Sequence, residues 1–121
     1  MLSTQPSAVA PAVRNLLRDV PPPGADESFE SLIERPGVRI ERIVSHGHRT
    51  PAGQWYDQEQ DEWVMVLAGA ARLVVEVAGS ERELELSPFD TIFLPAHCRH
   101  RVNWTDPERP TVWLAVHYDG R

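Results

Sequence analysis

The sequence predicts a single all-β domain, folded as a sandwich or as a closed barrel. Apolar and polar residues alternate over short segments, and turn residues separate these segments, with 11 Pro and 7 Gly in the chain. Strand patterns never alternate with helix patterns, which excludes the α/β folds. About seven short strands spaced by turns are typical of sandwiches and barrels. A chain of 121 residues is long enough for one such domain but too short for two.

Strand patterns begin at residue 38 and continue almost to the end of the chain. The predicted strands cover, in chain order, residues 38–45, 62–67, 71–77, 81–86, 91–94, 100–105 and 111–118. Turn residues lie between them, and Gly69 supplies the positive φ that a tight turn often requires. The apolar positions of these strands are expected to form the core, from Val64, Val66, Leu73, Val75, Leu84, Ile92, Leu94, Val112 and Leu114.

Residues 1–37 are predicted to form an extended N-terminal arm, and residues 38–118 the barrel. The segment 12–18 has enough apolar residues on one side for one or two helical turns, whereas the Pro-rich segment 21–24 excludes both helix and strand. The first residues carry no early positive charge and no unbroken apolar stretch, so no signal peptide is predicted. We expect the arm to pack onto the barrel through Leu16, Leu17, Phe29 and Leu32.

The charge balance argues against nucleic acids and anionic membranes as partners. Eighteen acidic residues and twelve basic ones give a formal charge of −6, and every basic residue is Arg. Both kinds of partner require a basic face. No apolar run approaches the roughly 20 residues that span a bilayer. The single Cys98 cannot form an internal disulfide, so a reducing, cytoplasmic location is predicted.

Two spaced motifs stand out within the strand region. Glu62 is followed after six residues by Gly69, and Pro95 is followed after four residues by His100. This pair resembles the two signature motifs of the cupin superfamily, over about residues 38–118. The resemblance implies a cupin-type double-stranded β-helix, which is a small jelly-roll barrel, with the motif side chains pointing into an interior pocket.

The sequence departs from the family pattern at several motif positions. The two histidines of the first cupin motif would fall on residues 55 and 57 or on residues 56 and 58, and neither pair is histidine. His97 stands where the second motif has its middle glycine, and Trp104 stands at the position of the final asparagine. The pattern is therefore more specific for the fold than for an activity, since the cupin fold hosts many functions.

Glu62, His100 and Asp57 are the candidate metal ligands. Glu62 shares a strand face with apolar residues, and a buried carboxylate requires a metal ion or a cationic or hydroxylated ligand as its partner. The alternative is a strand-end carboxylate that is solvated or paired with Arg. Imidazole is the commonest protein ligand for metals, and Asp57 offers a hard oxygen. The predicted cofactor is one divalent ion, either iron, manganese, nickel or zinc, or no metal at all.

Trp55, Tyr56, Gln58 and His117 are the candidate residues for binding a small organic substrate. Aromatic rings with one polar atom suit such ligands, although the same loop could simply clamp the barrel and His117 could face water. His46 and His48 lie too far from Glu62 to be the histidine pair of the first motif, and we interpret them as a polar turn. Cys98 is interpreted as an incidental thiol.

These residues favour a cupin that binds a small organic molecule, a divalent metal, or both. The alternative is a metal-dependent enzyme, either dioxygenase-like or isomerase-like, that acts on a small polar substrate. A sensor function is disfavoured because the chain has no room for a DNA-binding module. We expect a homodimer, because Trp63, Met65 and Leu67 share an apolar face opposite Glu62.

Overall fold

The computed structural model describes residues 5–120, which fold into eight β-strands. In chain order they are β1 (Ser28–Arg35), β2 (Val38–Ser45), β3 (Asp61–Ala68), β4 (Ala71–Val77), β5 (Ser80–Leu86), β6 (Thr91–Leu94), β7 (His100–Thr105) and β8 (Thr111–Tyr118). Every pair of neighbouring strands is antiparallel. No helix within residues 5–120 is long and apolar enough to cross a membrane.

The strands form two sheets whose inner faces enclose the core. One sheet has five strands in the order β1-β2-β8-β3-β6, and the other has three in the order β5-β4-β7. Side chains from both sheets meet in one buried apolar cluster. The prediction of an all-β jelly-roll is therefore confirmed. The members of the cluster are Val64, Val66, Ala71, Leu73, Val75, Leu86, Leu94, Trp113 and Ala115.

Most of the predicted core residues are buried, but strands β5 and β8 differ from expectation. Leu84 is 36% exposed because β5 is an edge strand, and Leu86 takes its place in the core. On β8, Trp113 and Ala115 face the core, so Leu114 lies on the opposite face and is only half-buried. Of the predicted residues, six are buried (Val64, Val66, Leu73, Val75, Leu94 and Val112), and Ile92 is half-buried.

Strand β1 lies within the range that the sequence analysis assigned to the arm. It pairs with β2 along its whole length, with a register shift between Ser31 and Ile33. Its alternating sequence is a strand signal, but the apolar side chains are only partly covered because β1 is at the sheet edge. The segment 12–18 forms a turn near residues 16 and 17 and no helix. The arm thus adds one strand to the seven predicted.

The part of the arm before β1 is held by polar contacts, among them those to one buried guanidinium, and not by the predicted leucine packing. Arg42 on β2 is 4% exposed and donates to the backbone carbonyls of Leu16, Arg18 and Asp19 at 3.1, 2.9 and 3.2 Å. It also pairs with Glu30 at 3.0 Å. Two residues of the predicted apolar contact, Leu17 and Phe29, remain more than half exposed. Backbone carbonyl groups of the irregular arm, which accept no hydrogen bond from a regular strand or helix, are thus bonded to the Arg42 side chain.

The two histidines after β2 also bind the arm. His46 Nε2 donates to the carbonyl of Pro21, and His48 Nε2 donates to the carbonyl of Gly24, both at 2.8 Å. His48 Nδ1 accepts the backbone N–H of His46 at 2.9 Å. Both imidazoles are therefore engaged in positioning the Pro-rich segment.

Candidate functional site

A cavity of about 260 Å³ lies between the two sheets. Its walls are largely apolar, whereas four polar side chains from β2, β3, β7 and β8 converge in one region, which we call the polar end: Glu41, Glu62, His100 and His117. An apolar pocket with a few convergent polar groups is the usual form of a small-molecule site. Apolar walls come from Ile43, Val64, Leu73, Leu94, Val102 and Trp113.

Glu62 is the buried carboxylate at the centre of the polar end. It alternates with Trp63 along β3, so its side chain points inward with Val64, and the residue is only 6% exposed. Its Oε1 atom is buried and has no hydrogen-bond partner within residues 5–120. Burial raises the pKa of Glu62 above its ordinary value, and the neighbouring imidazoles of His117 and His100 act in the opposite direction.

His100 opens β7 and faces Glu62 across the cavity. Its Nδ1 lies 2.9 Å from the carbonyl of Cys98, which can only accept, so Nδ1 carries the proton. In the neutral ring, Nε2 then presents a lone pair 3.6 Å from Glu62 Oε1. The Tyr56 ring stacks on the imidazole at a centroid distance of 5.5 Å, and the two backbones hydrogen-bond to each other. Burial raises the pKa of Tyr56, which keeps the phenol neutral.

His117 and Glu41 form a second buried pair beside Glu62. His117 Nε2 donates to Glu41 Oε1 at 2.9 Å and lies 3.7 Å from Glu62 Oε2. The register of β2 against β8 brings the two strands together here, although the residues are 76 positions apart. Glu41 is in turn 3.7 Å from the Nε atom of Arg39. The polar end is thus a chain of alternating carboxylates and cationic or imidazole groups.

The donors in the cavity do not fit a protein-held metal centre. Glu62 and His100 Nε2 offer lone pairs to the same space, but His117 Nε2 carries its proton towards Glu41. Within residues 5–120, no group of three or more His, Cys, Asp and Glu side chains is arranged to hold a metal ion. Zinc sites of known type use three or four protein ligands. The predicted metal set is not brought together, because Asp57 lies elsewhere.

Asp57 and Trp55 lie outside the cavity lining. Asp57 is half-exposed and accepts from His97 Nδ1 at 2.8 Å. The Trp55 ring lies under the guanidinium groups of Arg99 and Arg101, at 4.8 and 5.2 Å from their central carbons. These contacts connect the loop before β3 to β7 and to the turn that precedes it. They correspond to the alternative interpretation of this loop as a structural clamp on the barrel. They leave neither side chain directed at the buried carboxylate.

The other predicted substrate-binding residues, Tyr56, Gln58 and His117, line the cavity. Sequence reasoning missed three charged lining residues, namely Glu27, Arg39 and Glu41. Glu41 had only a weak signal, since β2 also carries Arg39 and Arg42 and its charged residues look like those of a solvated strand. Glu27 had none, because it belongs to the irregular segment before β1. Its carboxylate accepts a short hydrogen bond from the buried Ser45 hydroxyl, which also accepts the indole N–H of Trp113.

Comparison with solved structures finds relatives across most of the chain. A Ralstonia eutropha JMP134 protein named "putative mannose-6-phosphate isomerase" is 52% identical, with 91% of this chain and 100% of that chain covered and a TM-score of 0.84. A cupin superfamily protein of Desulfitobacterium hafniense DCB-2 is 16% identical, with 83% and 84% covered and a TM-score of 0.67. A Thermus thermophilus protein is 17% identical, with 88% and 96% covered and a TM-score of 0.72. The last two likenesses concern the fold alone.

The family comparison covers the same region. No curated protein matches the chain. Residues 41–117, which run from the middle of β2 to near the end of β8, match the family model described as "Cupin domain". This range includes Glu62, His100 and His117, the three polar groups that converge in the cavity. With its two-sheet jelly-roll and the matching motifs, the chain belongs to the cupin family.

Proposed function

We propose that the cavity binds a small organic molecule, with Glu62, His100 and His117 as its polar anchors. The observation that carries this proposal is the buried Glu62 Oε1 atom without a hydrogen-bond partner. A buried acceptor left unsatisfied costs about 1–3 kcal/mol, and a bound group that donates a hydrogen bond removes this cost. The cavity offers apolar walls for the body of such a ligand.

Three features of the polar end support selective binding. The stacked Tyr56 ring and the Cys98 carbonyl fix the orientation of His100. Glu41 fixes His117 in the same way. Because these side chains are already oriented, a ligand loses less free energy in ordering them. The site is therefore preorganised around a polar group of the ligand.

Protein-detected NMR titration with a panel of small organic molecules tests this proposal. We expect some members to shift the NMR signals of the Trp113 indole and the His100 imidazole, both of which line the cavity. Two variants form a matched pair, since each replaces a carboxylate by an amide: Glu62→Gln inside the cavity and Asp57→Asn outside it. Binding should weaken in the first variant and stay unchanged in the second. A panel without binders, or equal affinities for both variants, contradicts the proposal.

A second candidate function is an isomerase-like enzyme. The relative at 52% identity carries the name "putative mannose-6-phosphate isomerase", and the cavity contains groups able to move protons, namely Glu62 and the His117–Glu41 pair. Turnover of mannose 6-phosphate, measured with and without added zinc or manganese, tests it. Metal analysis of the purified protein belongs to the same experiment: stoichiometric metal together with turnover would favour the enzyme over the binding protein.

We further propose that the protein is a cytoplasmic homodimer that pairs through the outer face of β3 and β6. Phe93 on β6 is 52% exposed and lies opposite Trp63 in the β3–β6 register. Trp63 and Met65 are half-buried on the same face. An apolar face on an edge strand favours association with a second copy.

A further inference from the structure

We propose that the cavity selects an organic ligand with a primary ammonium group, and that anionic ligands such as phosphorylated sugars are rejected. This inference rests on the proposed small-molecule function and specifies its ligand class. The ammonium group is expected between Glu62 and His100, and the apolar part of the ligand against the cavity wall.

Two adjacent acceptors point to a ligand group with several N–H donors. Among the described residues Glu62 Oε1 has no hydrogen-bond partner, and in the neutral imidazole, whose proton is on Nδ1, His100 Nε2 presents a lone pair 3.6 Å away. Two acceptors at this distance do not hydrogen-bond to each other. One ammonium group, with three donors and no acceptor, can serve both. A carboxylate or a fully ionised phosphate group placed between them would add acceptors and leave both atoms unsatisfied.

The charges that face the cavity favour a cation. Its lining contains three carboxylates, on Glu27, Glu41 and Glu62, but only one guanidinium, on Arg39. Arg39 is already 3.7 Å from Glu41, and Glu62 has only the two imidazoles within ion-pair distance. Among the described residues, Glu27 accepts from Ser45 and forms no ion pair. Binding a cation offsets this excess of negative charge, whereas an anion increases it.

Aromatic faces in the lining add to the same preference. Phe29, Tyr56 and Trp113 line the cavity, and the Tyr56 ring lies against His100. Ring faces attract ammonium groups, most strongly where water is excluded. Arg39 is the one group that favours an anion, since its buried Nε atom has no hydrogen-bond partner.

Calorimetric titration with three probes of similar size tests the ligand class. The probes are 2-phenylethylamine, 2-phenylethanol and phenylacetate, which differ in the charge of one end. The titrations use the full chain after dialysis against a chelator, so that no divalent cation competes for Glu62 and His100. We expect the amine to bind at least about tenfold more tightly than phenylacetate, which corresponds to about 1.4 kcal/mol. Mannose 6-phosphate is expected to show no measurable binding.

Two variants link the preference to the residues named. Glu62→Gln should remove most of the tenfold difference, because it removes the charged acceptor, and Glu27→Gln should reduce it. Asp57→Asn, outside the cavity, should retain it. Equal binding of the three probes, or tightest binding of phenylacetate, overturns the ammonium proposal while the small-molecule function stands. If none of the probes binds but members of the wider panel do, the ammonium proposal again fails alone. If nothing in the panel binds, the proposed function fails as well.

Discussion

Gly69, in the turn between β3 and β4, is expected to resist replacement even by Ala. A Cβ atom built at Gly69 would lie 2.5 Å from Thr111 Oγ1, 2.6 Å from Thr111 Cα and 2.7 Å from the carbonyl oxygen of Pro110. Two of these atoms belong to the backbone, and the Thr111 hydroxyl is held by hydrogen bonds with Ala70. None of the three can move aside, so the substitution must displace the start of β8.

The cost of Gly69→Ala has two unfavourable contributions and one favourable. The φ of +83° costs a residue with a side chain about 1–2 kcal/mol, and overpacking typically costs about 1–3 kcal/mol. The less flexible unfolded chain returns about 0.4–1 kcal/mol. We expect a net loss near 3 kcal/mol in the free energy of unfolding, measured by urea denaturation. With an m-value of about 1–3 kcal/mol/M, the midpoint falls by at least about 1 M.

Gly79→Ala is the matched control for this prediction. Gly79 has a nearly identical φ of +80°, but an added Cβ would meet no atom within 4 Å. The control therefore retains the backbone contribution and removes the overlap, so it should cost about 1 kcal/mol or less. If Gly69→Ala costs no more than Gly79→Ala, the close approach of the turn to β8 is not what requires glycine.

Three further predictions concern the site, the arm and assembly. Because the pKa of Glu62 is raised in the folded state, the contribution of Glu62 to stability falls as the pH rises above the ordinary value of 4.5, and Glu62→Gln removes this contribution. Urea denaturation at several pH values should therefore show the free energy of unfolding of Glu62→Gln rising relative to that of the wild type from acid to neutral pH. The expected change is about 1.4 kcal/mol for each tenfold increase in the proton affinity of Glu62 on folding; a difference that is constant with pH would contradict the burial explanation. Arg42→Ala should cost about 2 kcal/mol and make the segment before β1 sensitive to proteases, since three backbone carbonyls lose their donor; unchanged limited proteolysis would refute this. Light scattering should give twice 13.7 kDa for the wild type and 13.7 kDa for Trp63→Glu; a monomeric wild type at tens of micromolar would rule out the dimer.

The strands of the barrel could be predicted because their local patterns survive in the fold. Alternation placed Glu62 with Val64 on the inner face, and burial along β3 follows this alternation. Strand β1 escaped prediction because an edge strand buries little, so its apolar residues did not distinguish it from an extended arm. Local periodicity therefore predicts central strands better than edge strands.

The polar end of the cavity was only partly predictable. Motif spacing brought Glu62 and His100 together as expected, within 3.6 Å. The Glu41–His117 pair depends on the register between two strands that are distant in the chain, and register is not readable from either strand alone. Asp57 does not line the cavity as predicted, because the path of a loop depends on its tertiary contacts, here the contact between Asp57 and His97.

The residues that line the cavity come from two parts of the chain, which differ in how strongly core packing restricts substitutions. Most lining residues lie within the family range of 41–117, but Glu27, Phe29 and Arg39 precede it. Phe29 is 56% exposed on an edge strand, so replacing it disturbs no packed core. Substitutions at Phe29 are therefore expected to change the cavity lining at little cost to folding. The segment before the family range is where paralogues could diverge in ligand preference without loss of the shared barrel.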